Sequence, residues 1–173
     1  MSKLQMVVLS HKISDSNLSC RTRKVGCDEQ ECEPACMLVP RYSGIATFFK
    51  VPVLSRETMD KNKVNIGILG IPFDAGSSFA PGSRFAPNSI RQASMLIKQH
   101  SIHHAMNPFS ENQVIDCMDV NTTPFDIQKA VDMIYKQVKA HLQQVDKLVC
   151  IGGDHTISYP VIKLLKHSCS GLQ

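Results

Sequence analysis

The sequence predicts an α/β fold built on a parallel sheet, and three observations predict it. Apolar runs at residues 64–72, 113–119 and 148–151 have the length and composition of buried strands. Each is followed by a segment with helical start signals or helical spacing. The resulting order is strand–loop–helix, strand–helix, strand–helix, which argues for parallel strands joined by right-handed crossovers.

Residues 1–38 show no sustained period of 2 or 3.6 and read as a disordered or targeting segment. Within the first two dozen, Lys3, Lys12, Arg21, Arg23 and Lys24 face a single acid, Asp15. That balance is compatible with an organelle transit peptide and equally with a disordered cytosolic tail. Residues 39–173 read as the folded portion. It opens with an apolar, aromatic stretch at 40–52, broken by Gly44 and Pro52. This stretch is expected to be an ordered arm, packed on the main domain or on a neighbouring subunit.

The first strand, 64–72, leads into a loop at 73–86 rich in Gly, Ser and Pro, a composition more often functional than idle at that length. Pro87 opens a helix whose Ile90, Ala93, Leu96 and Ile97 are expected on one face. After the second strand, 113–119, Thr123 is an expected cap, with Pro124 in the first turn and Asp126 three residues on. Ile127, Ala130, Val131, Ile134, Val138 and Leu142 recur at helical spacing and predict a core-facing helix to about residue 144.

The third strand, 148–151, ends in Gly152 and Gly153, which let the backbone turn sharply and something approach closely. Asp154 and His155 then sit just past its carboxyl end, the rim where open parallel sheets bind ligands. The next helix is expected to be capped by Thr156 or Ser158, with Pro160 in its first turn, and to end near Lys166. Residues 167–173 show no period and supply no companion strand. The last parallel strand is therefore expected to be an open edge, and the chain reads as the N-terminal part of a larger sheet, cut short after about three strands.

Composition is that of a globular chain: 43% hydrophobic and 20% charged. No apolar run reaches the roughly 18 residues of a membrane span. The net charge of +4 comes from scattered bases, which argues against a nucleic-acid partner. The seven cysteines lack paired zinc-type spacing, Cys27, Cys32 and Cys36 included, and read as reduced thiols inside a cell. The loop at 75–83 carries neither phosphate-loop nor dinucleotide spacing. His103 and His104 are adjacent and would point apart, so they read as exposed loop residues. Asp74 and Arg84 could form a loop ion pair or shape a site rim. Asp154 reads as a cap or a supporting residue. His155 is open to two readings, an ordinary hydrogen-bonded histidine or a metal ligand.

Three motifs in order carry a family resemblance. The segment from Gly70 to Ser78 (GIPFDAGSS) continues through Pro81-Gly82-Ser83-Arg84-Phe85-Ala86-Pro87 to Ile90-Arg91, and it resembles the ureohydrolases, the arginases and agmatinases. Gly152-Gly153-Asp154-His155-Thr156-Ile157 resembles that family's first metal-binding motif. The segment from Pro40 to Phe48 (PRYSGIATF) is similar to the N-terminal arm of agmatinases. The resemblance covers residues 40–166. It implies a three-layer α/β/α fold with a parallel sheet, a site for two Mn²⁺ ions with His155 as one ligand, and hydrolysis of a guanidinium group to urea and an amine. Carboxylates and imidazoles suit Mn²⁺, and paired ions activate a bridging water.

The resemblance further implies a guanidino substrate such as agmatine and a homo-oligomer; the basic N-terminal residues point to a mitochondrial location, with cytoplasm as the alternative. The family's D-x-H-x-D and D-x-D ligand motifs, its downstream catalytic histidine and its substrate-binding acid have no counterpart in this sequence. One imidazole cannot hold a binuclear centre. The expected function is thus an agmatinase-like ureohydrolase, with this chain inactive alone. The alternative is a non-catalytic chain that binds or modulates full-length ureohydrolase subunits.

Overall fold

The computed structural model describes residues 6–10, 40, 42–54, 64–101, 103–104 and 106–168. Their strands are β1 (Met6–Ser10), β2 (Val64–Ile71), β3 (Val114–Asp119) and β4 (Val145–Gly152). Their helices are α1 (Ala86–Ser94), α2 (Pro108–Glu111), α3 (Ile127–Leu142) and α4 (Ser158–Ser168). The sheet runs β1-β4-β2-β3 in space. β2 is parallel to both of its neighbours.

Alternate residues of the parallel strands serve two apolar layers, as both buried faces of such a sheet require. Leu69, Ile71, Leu148 and Cys150 pack with Ile134 and Val138 of α3 and Val161 of α4. Ile68 and Ile151 face the other way, toward Phe48 and Ile90. Helices and arm thus cover the sheet on both sides in three layers, as the family resemblance implies.

Two helix starts differ from expectation. Asp126, not Thr123, caps α3: its carboxylate accepts from the Lys129 N–H at 3.0 Å. Asp126 is still extended, so the helix begins one residue later and Pro124 lies in the turn before it. Ahead of α4, Asp154 caps a short 3₁₀ turn, His155–Ile157, in place of Thr156 or Ser158.

The larger correction is α1. It stops at Ser94, and Leu96 and Ile97 are 80% and 51% exposed. Its buried face is Pro87, Arg91 and Ser94. The cause is Asp116 of β3, which is fully buried. Arg91 grips it with Nε at 2.8 Å and Nη2 at 3.0 Å, and reaches Asp119 with Nη1 at 2.7 Å. Burial alone would lower the Arg91 pKa; the hydrogen bonds it donates to Asp116 and then to Asp119 outweigh it and raise the value. Asp119 faces this way because β3 bulges. Ile68 pairs with Asp116 but Gly70 pairs with Asp119, so β3 carries one extra residue, and Met118, one of the two between them, has φ 62°.

Asp116 also docks the arm. Its carboxylate accepts from the Phe48 N–H at 2.9 Å, and its backbone bonds to Pro52 O and Leu54 N, each at 2.9 Å. The Arg91 guanidinium stacks over the Phe48 ring, 4.3 Å from its centre. The arm at 42–54 therefore packs on the domain's own sheet, and its residues 52–54 line the outer side of β3.

At the N-terminus, Met6–Ser10 departs from the expectation of a structureless segment. It pairs antiparallel with β4, Met6 with Ile151 through to Ser10 with Lys147. The expected open edge of β4 is thus covered. A five-residue strand with four apolar residues shows no period of its own, and its partner lies at the far end of the chain. The basic residues of the transit-peptide reading, Cys27, Cys32 and Cys36, and residues 169–173 fall outside the described residues.

Asp116→Ala leaves Arg91 buried without its main partner. It should cost about 3–5 kcal/mol, whereas removing the exposed α3 cap with Asp126→Ala should cost about 1 kcal/mol. Urea denaturation of the two variants checks the ranking. A second expectation concerns His141, near the end of α3. Burial pushes its imidazole below the ordinary 6.5, and Nδ1 finds no hydrogen-bond partner among the described residues. The unfolded chain therefore binds this proton first, and stability falls as pH drops below about 6.5. Melting temperatures of wild type and His141→Gln from pH 8 to 5 should show a shallower acid decline in the variant.

Candidate active site

The connections of the sheet place the site. β2 runs on into α1 on one face, while β3 and β4 run on into α3 and α4 on the other. Neighbouring strands whose connections part in this way leave crevices at their carboxyl ends. Here there is one on each side of β2.

On the β4 side, two chain segments are stitched together. The Gly153 N–H donates to Ile71 O at 3.1 Å and the Asp154 N–H to Phe73 O at 2.9 Å. A Cβ at Gly153 would land on the Phe73 carbonyl oxygen, so only glycine lets the segments come this close. The Asp154 carboxylate continues the seam. One oxygen accepts from the Thr156 N–H at 2.9 Å, and the other from the Gly76 N–H, across the crevice, at 2.8 Å. A Cβ at Gly76 would meet the Thr156 hydroxyl. Asp154 is thus both the cap of its own turn and a strap to the loop after β2. His155 begins that turn, exposed at the rim.

On the β3 side lies a cavity of about 330 Å³, lined by residues that include Phe73, Arg84, Asp119, Asn121, Thr122 and Pro124. Asp74 forms part of its wall. Its carboxylate is buried and accepts from Arg84 Nε at 2.6 Å, Gly82 N at 2.8 Å and Arg84 N at 3.2 Å. The two readings of Asp74 and Arg84 therefore both hold: they form a loop ion pair, and that pair shapes the rim. The Arg84 guanidinium, opposed by desolvation and helped by the backbone donors, holds the Asp74 carboxyl below its ordinary range.

Other residues singled out in the sequence stand apart from this seam. His103 and His104 are exposed in the turn ahead of α2. Cys117 and Cys150 are buried in β3 and β4, and burial pushes each thiol up to about 12, where the reactive thiolate is negligible. Among the described residues no three His, Cys, Asp or Glu side chains come together to hold a metal ion. Both oxygens of Asp154 accept backbone hydrogen bonds, which leaves His155 as the imidazole at the rim. These residues do not by themselves fit a two-manganese centre. The Arg91–Asp116–Asp119 cluster was missed in the sequence. Its one signal was an acid, Asp116, set within an apolar strand.

Residues 64–172 match the model of the Arginase family, and the chain belongs to that family. It is 30% identical over 142 residues to "Guanidino acid hydrolase, mitochondrial" of Homo sapiens, covering 80% of this chain and 39% of that protein. It is 29% identical over 146 residues to "Agmatinase, mitochondrial" of Gallus gallus, covering 80% of this chain and 40% of that protein. It is similar to the solved proclavaminate amidino hydrolase of Streptomyces clavuligerus, with a TM-score of 0.65 and 29% identity over 75% of this chain and 42% of that one. The chain thus spans about two fifths of the length of these relatives.

Asp74 yields a pH expectation. Its folded pKa lies below the ordinary 3.8, so its stabilisation is complete above that value and is lost as pH falls through the folded pKa. Wild type should unfold at higher denaturant than Asp74→Asn at pH 6, and the two should converge between pH 4 and 2.

Proposed function

We propose that this chain is the N-terminal part of an agmatinase-like ureohydrolase and supplies one metal ligand, His155, to a manganese site that it does not complete alone. The observation that carries this is the braced turn at the carboxyl end of β4. Asp154 ties it to the loop after β2 and leaves the neighbouring imidazole exposed at the rim. Membership of the Arginase family supports the reading. In the proposed reaction, water adds to the guanidinium carbon of agmatine, the bond from that carbon to the amine nitrogen breaks, and urea and putrescine leave. We assign no step to the described residues beyond positioning, because they bring together one imidazole and no second ligand.

Agmatine is favoured by the arm at 40–52 and the loop at 76–87, and the Gallus relative is named for it. The human relative is named for guanidino acids, which makes these the competing substrate class. Both names include the mitochondrion, which with the basic N-terminal residues supports that location for this chain. A second reading is favoured by the single ligand: a non-catalytic chain that binds full-length ureohydrolase subunits and alters their assembly.

Urea release from agmatine, arginine and guanidinobutyrate, with and without Mn²⁺, separates these readings. The purified chain alone should release none while a full-length relative works beside it. Manganese-dependent urea that disappears in His155→Ala would sink the claim of inactivity. If the chain co-purifies with the relative and shifts its rate, the second reading stands. If it does neither, that reading falls.

A further inference from the structure

The cavity on the β3 side is bordered by two ion pairs and one carboxylate that they leave unbalanced. Arg84 is engaged with Asp74 through Nε and Nη2. Arg91 gives Nε and Nη2 to Asp116 and only Nη1 to Asp119. The carboxylates of Asp74, Asp116 and Asp119 thus meet two guanidinium groups, and the unmatched charge lies on Asp119. That residue lines the cavity with its side chain 39% exposed. Its Oδ1 accepts from Arg91, and among the described residues no donor reaches Oδ2. No lysine or histidine is among the lining residues. The other walls suit a short alkyl chain: Phe73, Val120 and Pro124 are apolar, and about 330 Å³ is at the small end for a ligand site. Both charged walls also adjoin backbone in the left-handed region. Met118, φ 62°, precedes Asp119, and Ala80, φ 51°, lies ahead of Arg84. Strain of this kind gathers where ligands are held.

We propose that this cavity is a binding site for a small primary ammonium ion, with the ammonium on Asp119 Oδ2 and the alkyl chain along Phe73, Val120 and Pro124. A cation completes the charge balance that the side chains leave open, and the N–H groups of an ammonium suit a carboxylate oxygen that lacks a donor. An anion would meet the unmatched charge of Asp119 and is repelled. The site is distinct from the turn that bears His155. Its lining residues lie on the β3 side of β2, whereas Asp154 and His155 follow β4. The two adjoin through one segment, because Asp74 lines the cavity and Gly76 donates to Asp154. The proposal uses neither His155 nor a metal, and it stands or falls independently of the ureohydrolase reading.

The test titrates the full chain with butylammonium chloride and follows backbone amide resonances by NMR. Amides of residues 119–122 should shift along a saturable curve. Sodium butyrate and butanol, at equal concentration and ionic strength, should give no saturable shift. Asp119→Asn keeps an acceptor for Arg91 but removes the charge, and it should weaken butylammonium binding about tenfold, as loss of a charge-assisted hydrogen bond does. Thr122→Trp fills the cavity and should weaken binding by at least about as much. His155→Ala should bind within about twofold of wild type, whether or not the chain forms part of a ureohydrolase. Shifts that rise linearly without saturation overturn the proposal. So do equal saturation by butyrate or butanol, unchanged affinity in either cavity variant, and loss of binding in His155→Ala. Should Asp119→Asn unfold, Thr122→Trp decides: weakened binding supports the site, and unchanged binding overturns it.

Discussion

The buried pair of Arg91 and Asp116 is the constraint on which the arrangement of this chain depends. A carboxylate with no exposed surface would be untenable in a strand interior unless it were matched, and here four donors meet it. Two guanidinium nitrogens bind it from α1, the Phe48 amide from the arm and the Met118 amide from its own bulge. Its backbone completes the contact by pairing with residues 52–54. One residue therefore joins three pieces of chain that are far apart in sequence. The pair is weak as a source of net stability, since desolvation offsets much of its attraction. Its strength is selectivity: any packing that separates α1, β3 and the arm strands a charge in an apolar layer.

The candidate site follows from that frame rather than standing apart from it. With α1 clamped on one face, the chain leaving β2 must part from the chains leaving β3 and β4, and crevices open between them. Asp119 shows the coupling directly. The bulge that turns it toward Arg91 also sets it in the wall of the cavity beside Asp74 and Arg84. On the other side, backbone bonds at Ile71, Phe73 and Gly76 place His155 through its neighbours. The imidazole is thus located by the packing of two strand ends, whether or not a metal is bound.

Much of this was legible in the sequence. The three parallel strands, the core stripe of α3 and the glycine pair that ends β4 were all read from local pattern. Asp154 and the Asp74–Arg84 pair were named with the roles the structure gives them, because capping and ion pairing act over short stretches of chain. The face of α1 was misjudged because hydrophobic spacing points to Ile90, Ala93, Leu96 and Ile97. The face that is buried carries an arginine and a serine. Nothing local reveals that the partner of Arg91 waits on the next strand. The edge strand was missed for a related reason: Met6–Ser10 is too short to show a period.

By itself, then, the sequence determined the class of fold, the order of the three parallel strands and of the helix after each, and the turn that bears His155. These depend on residue spacing and on turn chemistry, which act between near neighbours. Only the tertiary structure decided which side of α1 is buried, how the arm is docked and what closes the edge of β4. Those outcomes depend on a charge finding its counter-charge and a strand finding its partner across the chain. Such matches are settled by desolvation and backbone pairing in the folded state, where distance along the sequence no longer counts.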